Sequence, residues 1–260
     1  MSIIYNVIPA LIPGLIFIYG LLIGSFLNVC IYRIPIGKTI VKGRSYCPFC
    51  NSLIPWYCNI PLFSYIFLKG RCKYCGEKIS VVYPVVELLN ALLYLLIWQV
   101  YGLTVTAVLA AVFFSILLVI SFIDLRCWII PDGLLLAILA LGIINAIYQT
   151  LVLNANWYDW AIGFFAASVP LLILGLAYKD GMGGGDIKLM AVAGLFMGWK
   201  LILLSLFIGA VYGGVASIFI ILVKKGSMKT AVPFGPFLSL GMATGLLAGN
   251  QLITWYLLLF

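Results

Sequence analysis

Two aspartates are the groups in this chain best placed to do chemistry. Asp124, in Phe122-Ile123-Asp124-Leu125, and Asp186, in Gly183-Gly184-Gly185-Asp186, are two of only seven carboxylates among 260 residues, and each adjoins a long apolar run. A charged acid near mid-membrane costs about 2.5–3.5 kcal/mol on insertion scales, and less toward an interface, so each asks for a reason. Taken singly, either is an interfacial acid of the kind many polytopic proteins carry. Taken together they suggest a shared site. Two carboxyls within a few ångströms cannot both ionise; one keeps its proton, and the pair can then act as general base toward water and general acid toward a leaving amine. That is the chemistry of an aspartic protease. The absence of histidine removes Ser-His and Cys-His sites and the zinc-protease motif, and Glu77 and Glu87 are the only glutamates. The glycines before Asp186 let a backbone approach a substrate strand, although such a run also suits a loop or a close helix contact. Helix dipoles favour the shared proton on Asp124, which ends an apolar run, over Asp186, which opens one.

A second constellation is Cys47-Pro48-Phe49-Cys50 and, 21 residues later, Cys72-Lys73-Tyr74-Cys75. Each CxxC turn can supply two thiolates, and two such turns close tetrahedrally around one ion, so Cys47, Cys50, Cys72 and Cys75 are the expected ligands of a structural Zn2+ with no open position for water. A disulfide framework or a redox pair would use the same residues. The surrounding loop carries eight basic residues, which places it on the cytoplasmic side, where thiols stay reduced. Zinc binding of this kind contributes about 10–16 kcal/mol in small peptides, enough to fold a polar insert with little core of its own. Of the other cysteines, Cys30 and Cys127 read as small apolar packers, and Cys58 has no evident role.

The elements that must position these groups are membrane helices. The chain is 65% hydrophobic and 8% charged, with mean hydropathy +1.22, which fixes an all-α polytopic membrane protein. Apolar runs near 7–31, 85–101, 103–123, 128–148, 160–178, 187–199, 201–223 and 232–260 predict about eight transmembrane helices. The sixth covers only about 20 Å and is expected to be short or broken. No Lys or Arg precedes Arg33, so the first run lacks the basic flank of a cleaved signal and is expected to be retained. The predicted division is a first transmembrane helix at 1–32, a cytoplasmic zinc-binding domain at 33–80 and a membrane domain at 81–260. Alternating the runs places fourteen of the fifteen basic residues on one side, with only Lys200 opposite. Both termini are then outside, and the cysteine loop, Asp124 and Asp186 share the cytoplasmic side. The +8 charge reads as an insertion signal and contact with membrane lipid, with no nucleic-acid partner. An ion-coupled transporter also uses membrane acids and glycine breaks, and is the rival function; a non-enzymatic zinc-loop scaffold is a third. Lys188 is expected to snorkel to headgroups, and Asp132, just after Ile130-Pro131, to cap a helix start.

Several motifs carry a resemblance. Gly24-Ser25-Phe26-Leu27-Asn28-Val29-Cys30-Ile31-Tyr32-Arg33-Ile34-Pro35, the two CxxC pairs, Asn59-Ile60-Pro61-Leu62-Phe63-Ser64-Tyr65, Tyr83-Pro84-Val85-Val86-Glu87-Leu88-Leu89, Ile123-Asp124 with Ile130-Pro131-Asp132, Gly183-Gly184-Gly185-Asp186-Ile187-Lys188-Leu189 and Pro233-Phe234-Gly235-Pro236-Phe237 resemble the type IV prepilin peptidases. The resemblance runs from about Gly24 to Pro236 in consistent order. It implies an inner-membrane aspartic protease of the GxGD type, with Asp124 and Asp186 as the catalytic pair. Such enzymes cut the short basic leader from prepilins and pseudopilins at the cytoplasmic face, and many also N-methylate the new N-terminus with S-adenosylmethionine. The four-cysteine insert belongs to this bifunctional form. Two departures bear on methylation rather than cleavage: Cys58 stands where relatives usually have an acid, and Val82 where an arginine is common. No glycine-rich nucleotide fingerprint follows a strand, so the methyl donor is implied by the resemblance alone.

Overall fold

The computed structural model describes residues 2–41, 43–177, 183–224 and 232–259. Among them the regular elements are helical: α1 (Ser2–Arg33), α2 (Phe63–Phe67), α3 (Val82–Tyr101), α4 (Val105–Cys127), α5 (Asp132–Val152), α6 (Trp157–Ala166), α7 (Ser168–Ala177), α8 (Gly184–Met197), α9 (Trp199–Lys224) and α10 (Gly235–Leu257), with 3-10 turns at Ile34–Ile36 and Trp56–Asn59. The chain forms two compact units, Met1–Val119 and Ile120–Phe260, and their boundary falls inside α4.

Six helical segments among the described residues are long and apolar enough to cross a membrane: Leu11–Ile36, Val82–Tyr101, Val105–Cys127, Asp132–Val152, Trp157–Ala177 and Trp199–Val223. The expected count of eight is thereby met for six. Helix α8 has 14 residues and spans about 21 Å, short of a hydrocarbon core of about 30 Å. Helix α10 has 23 residues, but its glycines and the Asn250-Gln251 pair dilute its apolar character. The fifth span is not one continuous helix. It breaks between α6 and α7, where Pro170 has no N–H for the carbonyl of Ala166.

In the first unit α1 packs on α3 through small residues. A Cβ on Gly20 would lie 2.6 Å from the Ala91 Cα, and one on Gly24 2.7 Å from the Glu87 Cα, so the two backbones meet only because both positions are glycine. Polar side chains lock this contact from within. Asn90 Nδ2 donates to the Gly20 carbonyl (2.8 Å) and its Oδ1 accepts from Ser115 (3.0 Å), whose hydroxyl also pairs with Tyr94 (3.0 Å). Asn28 Nδ2 donates to the Tyr83 carbonyl (3.0 Å) at the start of α3. In a medium without water such bonds hold a helix pair in one register.

In the second unit the centre is α8, which packs against α5, α6, α7 and α9. Nine of its residues are buried, from Asp186 through Met197, with no single apolar stripe, as expected for a helix enclosed by protein on all sides. Glycines make the approach possible: Gly163 of α6 and Gly194 of α8 leave no room for a side chain on either, and Gly142 of α5 lies against Leu195 and Phe196. Asn145 Nδ2 of α5 donates to the Phe196 carbonyl (2.8 Å), fixing the far end of the same contact. Gly198, at φ +78°, ends α8 and turns the chain into α9.

Candidate active site and cysteine cluster

Asp124 occupies the last turn of α4. Its carbonyl accepts from the Trp128 N–H (2.9 Å), and Trp128, at φ +58°, takes the left-handed conformation that stops the helix. The side chain is 6% exposed, and its Oδ2 accepts the main-chain N–H of Gly235 (3.0 Å) at the first turn of α10. Gly235 must lack a side chain here, because a Cβ would lie 2.7 Å from that oxygen. Asp186 sits in the first turn of α8 and is 9% exposed. Its main-chain N–H donates to the Gly183 carbonyl (3.1 Å), and a Cβ on Gly183 would come 3.4 Å from its Oδ2. Its Oδ1 is buried without a hydrogen-bond partner among the described residues. Asp186 lies within electrostatic reach of Asp124. Acids 62 residues apart in sequence are therefore brought together inside one compact unit, each at the end of a helix.

Two sequence readings change around this pair. The dipole argument for the shared proton loses its force, because the amino end of α10 also faces Asp124 and opposes the carboxyl end of α4. Gly235 was not singled out as a contributor, since a main-chain donor leaves no side-chain signature; the Gly235-Pro236 pair, typical of a helix start, was the available sign. Asp132 and Lys188 also behave differently from expectation. Asp132 makes no side-chain cap, and Lys188 Nζ meets Asp132 Oδ1 at 2.9 Å, so the starts of α5 and α8 are bridged by an exposed ion pair. Gly185 lies directly beneath, where a Cβ would stand 3.1 Å from the Ile130 Cβ.

The four cysteines of the insert converge as the spacing predicts. The Sγ atoms of Cys47, Cys50, Cys72 and Cys75 all lie within 4.8 Å of one another, with Cys47 to Cys75 at 3.9 Å. Sulfurs about 2.3 Å from a tetrahedral zinc would be separated by roughly 3.8 Å. The two turns repeat each other bond for bond at an offset of 25 residues. Cys47 N–H donates to Ser52 O and Cys72 N–H to Glu77 O; Asn51 N–H donates to Cys47 O and Gly76 N–H to Cys72 O; Ile54 N–H donates to Ser45 O and Ile79 N–H to Gly70 O. Isolated bridges close each turn, Tyr46 with Leu53 and Arg71 with Lys78. Asn51 (φ +55°) and Gly76 (φ +73°) take the same left-handed step after the second cysteine. The Ser52 hydroxyl and N–H directed at Cys50 lower its thiol to about 6, a setting that favours thiolate. All seven cysteines are free thiols. Cys30 is a buried packer as expected; Cys127 is exposed at the end of α4, contrary to expectation, because the helix stops there and turns it outward.

Known proteins match most of the chain. Residues 18–101 match the family model described as the bacterial peptidase A24 N-terminal domain, and residues 111–218 match that of the type IV leader peptidase family. The chain is 33% identical over 248 residues to a prepilin leader peptidase/N-methyltransferase of Bacillus subtilis, covering 94% of this chain and 97% of that protein. It is 34% identical over 284 residues to the protein of the same name from Aeromonas salmonicida, covering 96% and 95%. A third, from Pseudomonas putida, is 33% identical over 274 residues, covering 94% and 93%. No solved structure matches significantly.

Proposed function

Because the chain belongs to the type IV leader peptidase family, we propose that Asp124 and Asp186 are the acids with which it removes the leader from prepilins. The function is that of a membrane protease with methyltransferase activity, cleaving prepilins and N-methylating the product, and the transporter reading finds no support. The observation that carries the assignment of the acids is the meeting, within one compact unit, of two buried carboxyls from separate helices.

In the proposed mechanism the ionised member of the pair takes a proton from water as the water attacks the scissile carbonyl. The protonated member donates to the carbonyl oxygen, and the proton gained by the base passes to the leaving amine as the tetrahedral intermediate collapses. Asp186 Oδ1, which has no other described partner, is the atom we place on the water. Gly235 N–H fixes the orientation of Asp124. Both acids stand at helix ends rather than mid-helix, which suits a bond where a prepilin passes from cytosol into lipid.

Sidedness follows from charge: the cytoplasmic face holds the insert, Asp124 and Asp186, with both termini outside, an arrangement in which α8 and α10 both cross. On this reading residues 1–32 are a first membrane helix, 33–80 a zinc-binding domain and 81–260 the protease domain. Zn2+ fits the four thiolates by donor type and separation and would hold the insert together, with backbone N–H groups of each turn directed at the sulfurs of Cys50 and Cys72. S-adenosylmethionine would supply an electrophilic methyl group to the new N-terminal amine. Pseudopilins, which share a basic leader before an apolar segment, are substrates of the same kind.

The test is incubation of the purified protein with a prepilin, reading the mature N-terminus by mass. Asp124→Asn and Asp186→Asn should each abolish cleavage. Full turnover by either variant would exclude that acid from the chemistry.

A further inference from the structure

Helix α2 and the 3-10 turn before it carry an apolar surface turned outward. Within Phe63-Ser64-Tyr65-Ile66-Phe67 the exposed side chains are Phe63 (58%), Ile66 (69%) and Phe67 (81%), at the i, i+3, i+4 spacing of one helical stripe. Ser64 and Tyr65 are turned inward, Ser64 donating to the Ile60 carbonyl (2.7 Å) and Tyr65 lying against Gly70. Trp56, in the 3-10 turn that packs on α2, is also exposed, at 78%. An insert bathed in water would arrange these faces the other way round. Lys73 lies beside Phe63 and Phe67, its Nζ held 3.0 Å from the Tyr57 hydroxyl and 4.8 Å from the centre of its ring, and Lys69 and Arg71 precede it in sequence.

The depth of this surface is set by a buried carboxylate. Glu87 Oε2 accepts the N–H of Leu62, the residue just before α2, at 2.9 Å, and the Ser25 hydroxyl bonds to the same side chain. Leu62 adopts φ +58°, uncommon for leucine, and so directs its N–H to that bond. Glu87 lies five residues inside α3, or about 8 Å along its axis, and Ser25 lies eight residues before the end of α1, or about 12 Å. Both helices are membrane spans. The start of α2 is thus held below the cytoplasmic ends of the helices that flank the insert, at the level of headgroups and upper acyl chains.

We propose that α2 and Trp56 form an interfacial anchor seated in the cytoplasmic leaflet, with Phe63, Ile66, Phe67 and Trp56 among acyl chains and Lys69, Arg71 and Lys73 on anionic lipid phosphates. The occupant is the bilayer itself. The insert has eight basic residues against one acid, Glu77, which complements an anionic surface. Aromatic residues at this depth are the usual markers of a membrane-water interface.

The test places a photoreactive benzoyl-phenylalanine at position 66 or 67 of the full chain in vesicles of phosphatidylglycerol and phosphatidylethanolamine. Lipid adducts are then counted by mass spectrometry, with position 41, exposed in the same insert, as reference. Adducts to acyl chains should be abundant at 66 and 67 and scarce at 41. Lys73→Gln should reduce the excess of anionic over neutral lipid in those adducts by up to about fivefold, the factor that corresponds to ~1 kcal/mol for one charge near the surface. Lipid labelling at 66 and 67 no greater than at 41, or labelling confined to protein, whether a second copy or a prepilin, would overturn the proposal. Cleavage by the wild-type protein is read separately and does not depend on the outcome.

Discussion

Single residues decide the chemistry, and one of them is not an acid. Replacing either Asp124 or Asp186 by Asn should lower the cleavage rate by about 10²–10⁴-fold, the range set by loss of a general acid or base, while thermal unfolding stays close to wild type. Gly235→Ala should cost about 1–3 kcal/mol and also slow cleavage, because its methyl group would press on Asp124 Oδ2 from 2.7 Å; a denaturation midpoint and turnover both at the wild-type level would show that α10 does not position this carboxylate. Asp124 and Asp186 were legible in the sequence because acids beside apolar runs are costly and few. Gly235 was hidden because its contribution is a main-chain N–H. Cys127 was misread because composition alone cannot tell the last turn of a helix from its middle. Asp132 and Lys188 were each assigned a solitary role, and only the packing of α5 on α8 shows them as partners.

At the scale of elements, spacing was informative wherever a short motif closes on itself. The CxxC pairs announced the cysteine cluster, and the brevity of the apolar run 187–199 announced a short helix. Pro170 was the available sign of the break between α6 and α7, overlooked because the apolar run continues through it. Removing one ligand tests the cluster. Cys50→Ser should bring bound zinc well below one ion per chain by elemental analysis and lower the melting temperature of the insert; full zinc content in that variant would place the metal elsewhere. The Lys188–Asp132 bridge is exposed on both sides, so Lys188→Ala should change stability by only about 0.2–1 kcal/mol in chemical denaturation. Asn145→Ala, which removes a buried hydrogen bond to the Phe196 carbonyl, should cost about 0.5–1.5 kcal/mol.

For the whole molecule, class and charge pattern were readable from composition, and hydropathy meets six of the eight expected crossings among the described residues. Hydropathy finds a helix that faces lipid. Helix α8 is buried in protein and α10 is rich in small and polar residues, so their place depends on partners rather than on their own apolarity. Sidedness is open to direct measurement: a reporter inserted at 154–155, between α5 and α6, should be active outside the cell, and one at 228–229 active in the cytoplasm; the reverse pattern would invert the proposed topology. The enclosure of α8 by four neighbours has a mechanical consequence. Asp186 rides on a fixed post, and amides along 189–197 should be among the slowest in the chain to exchange with deuterium. Asp124 lies in the last turn of α4, against the first turn of α10. On the proposed assignment of the two acids, the Asp186 side would serve as the anvil against which a peptide is held.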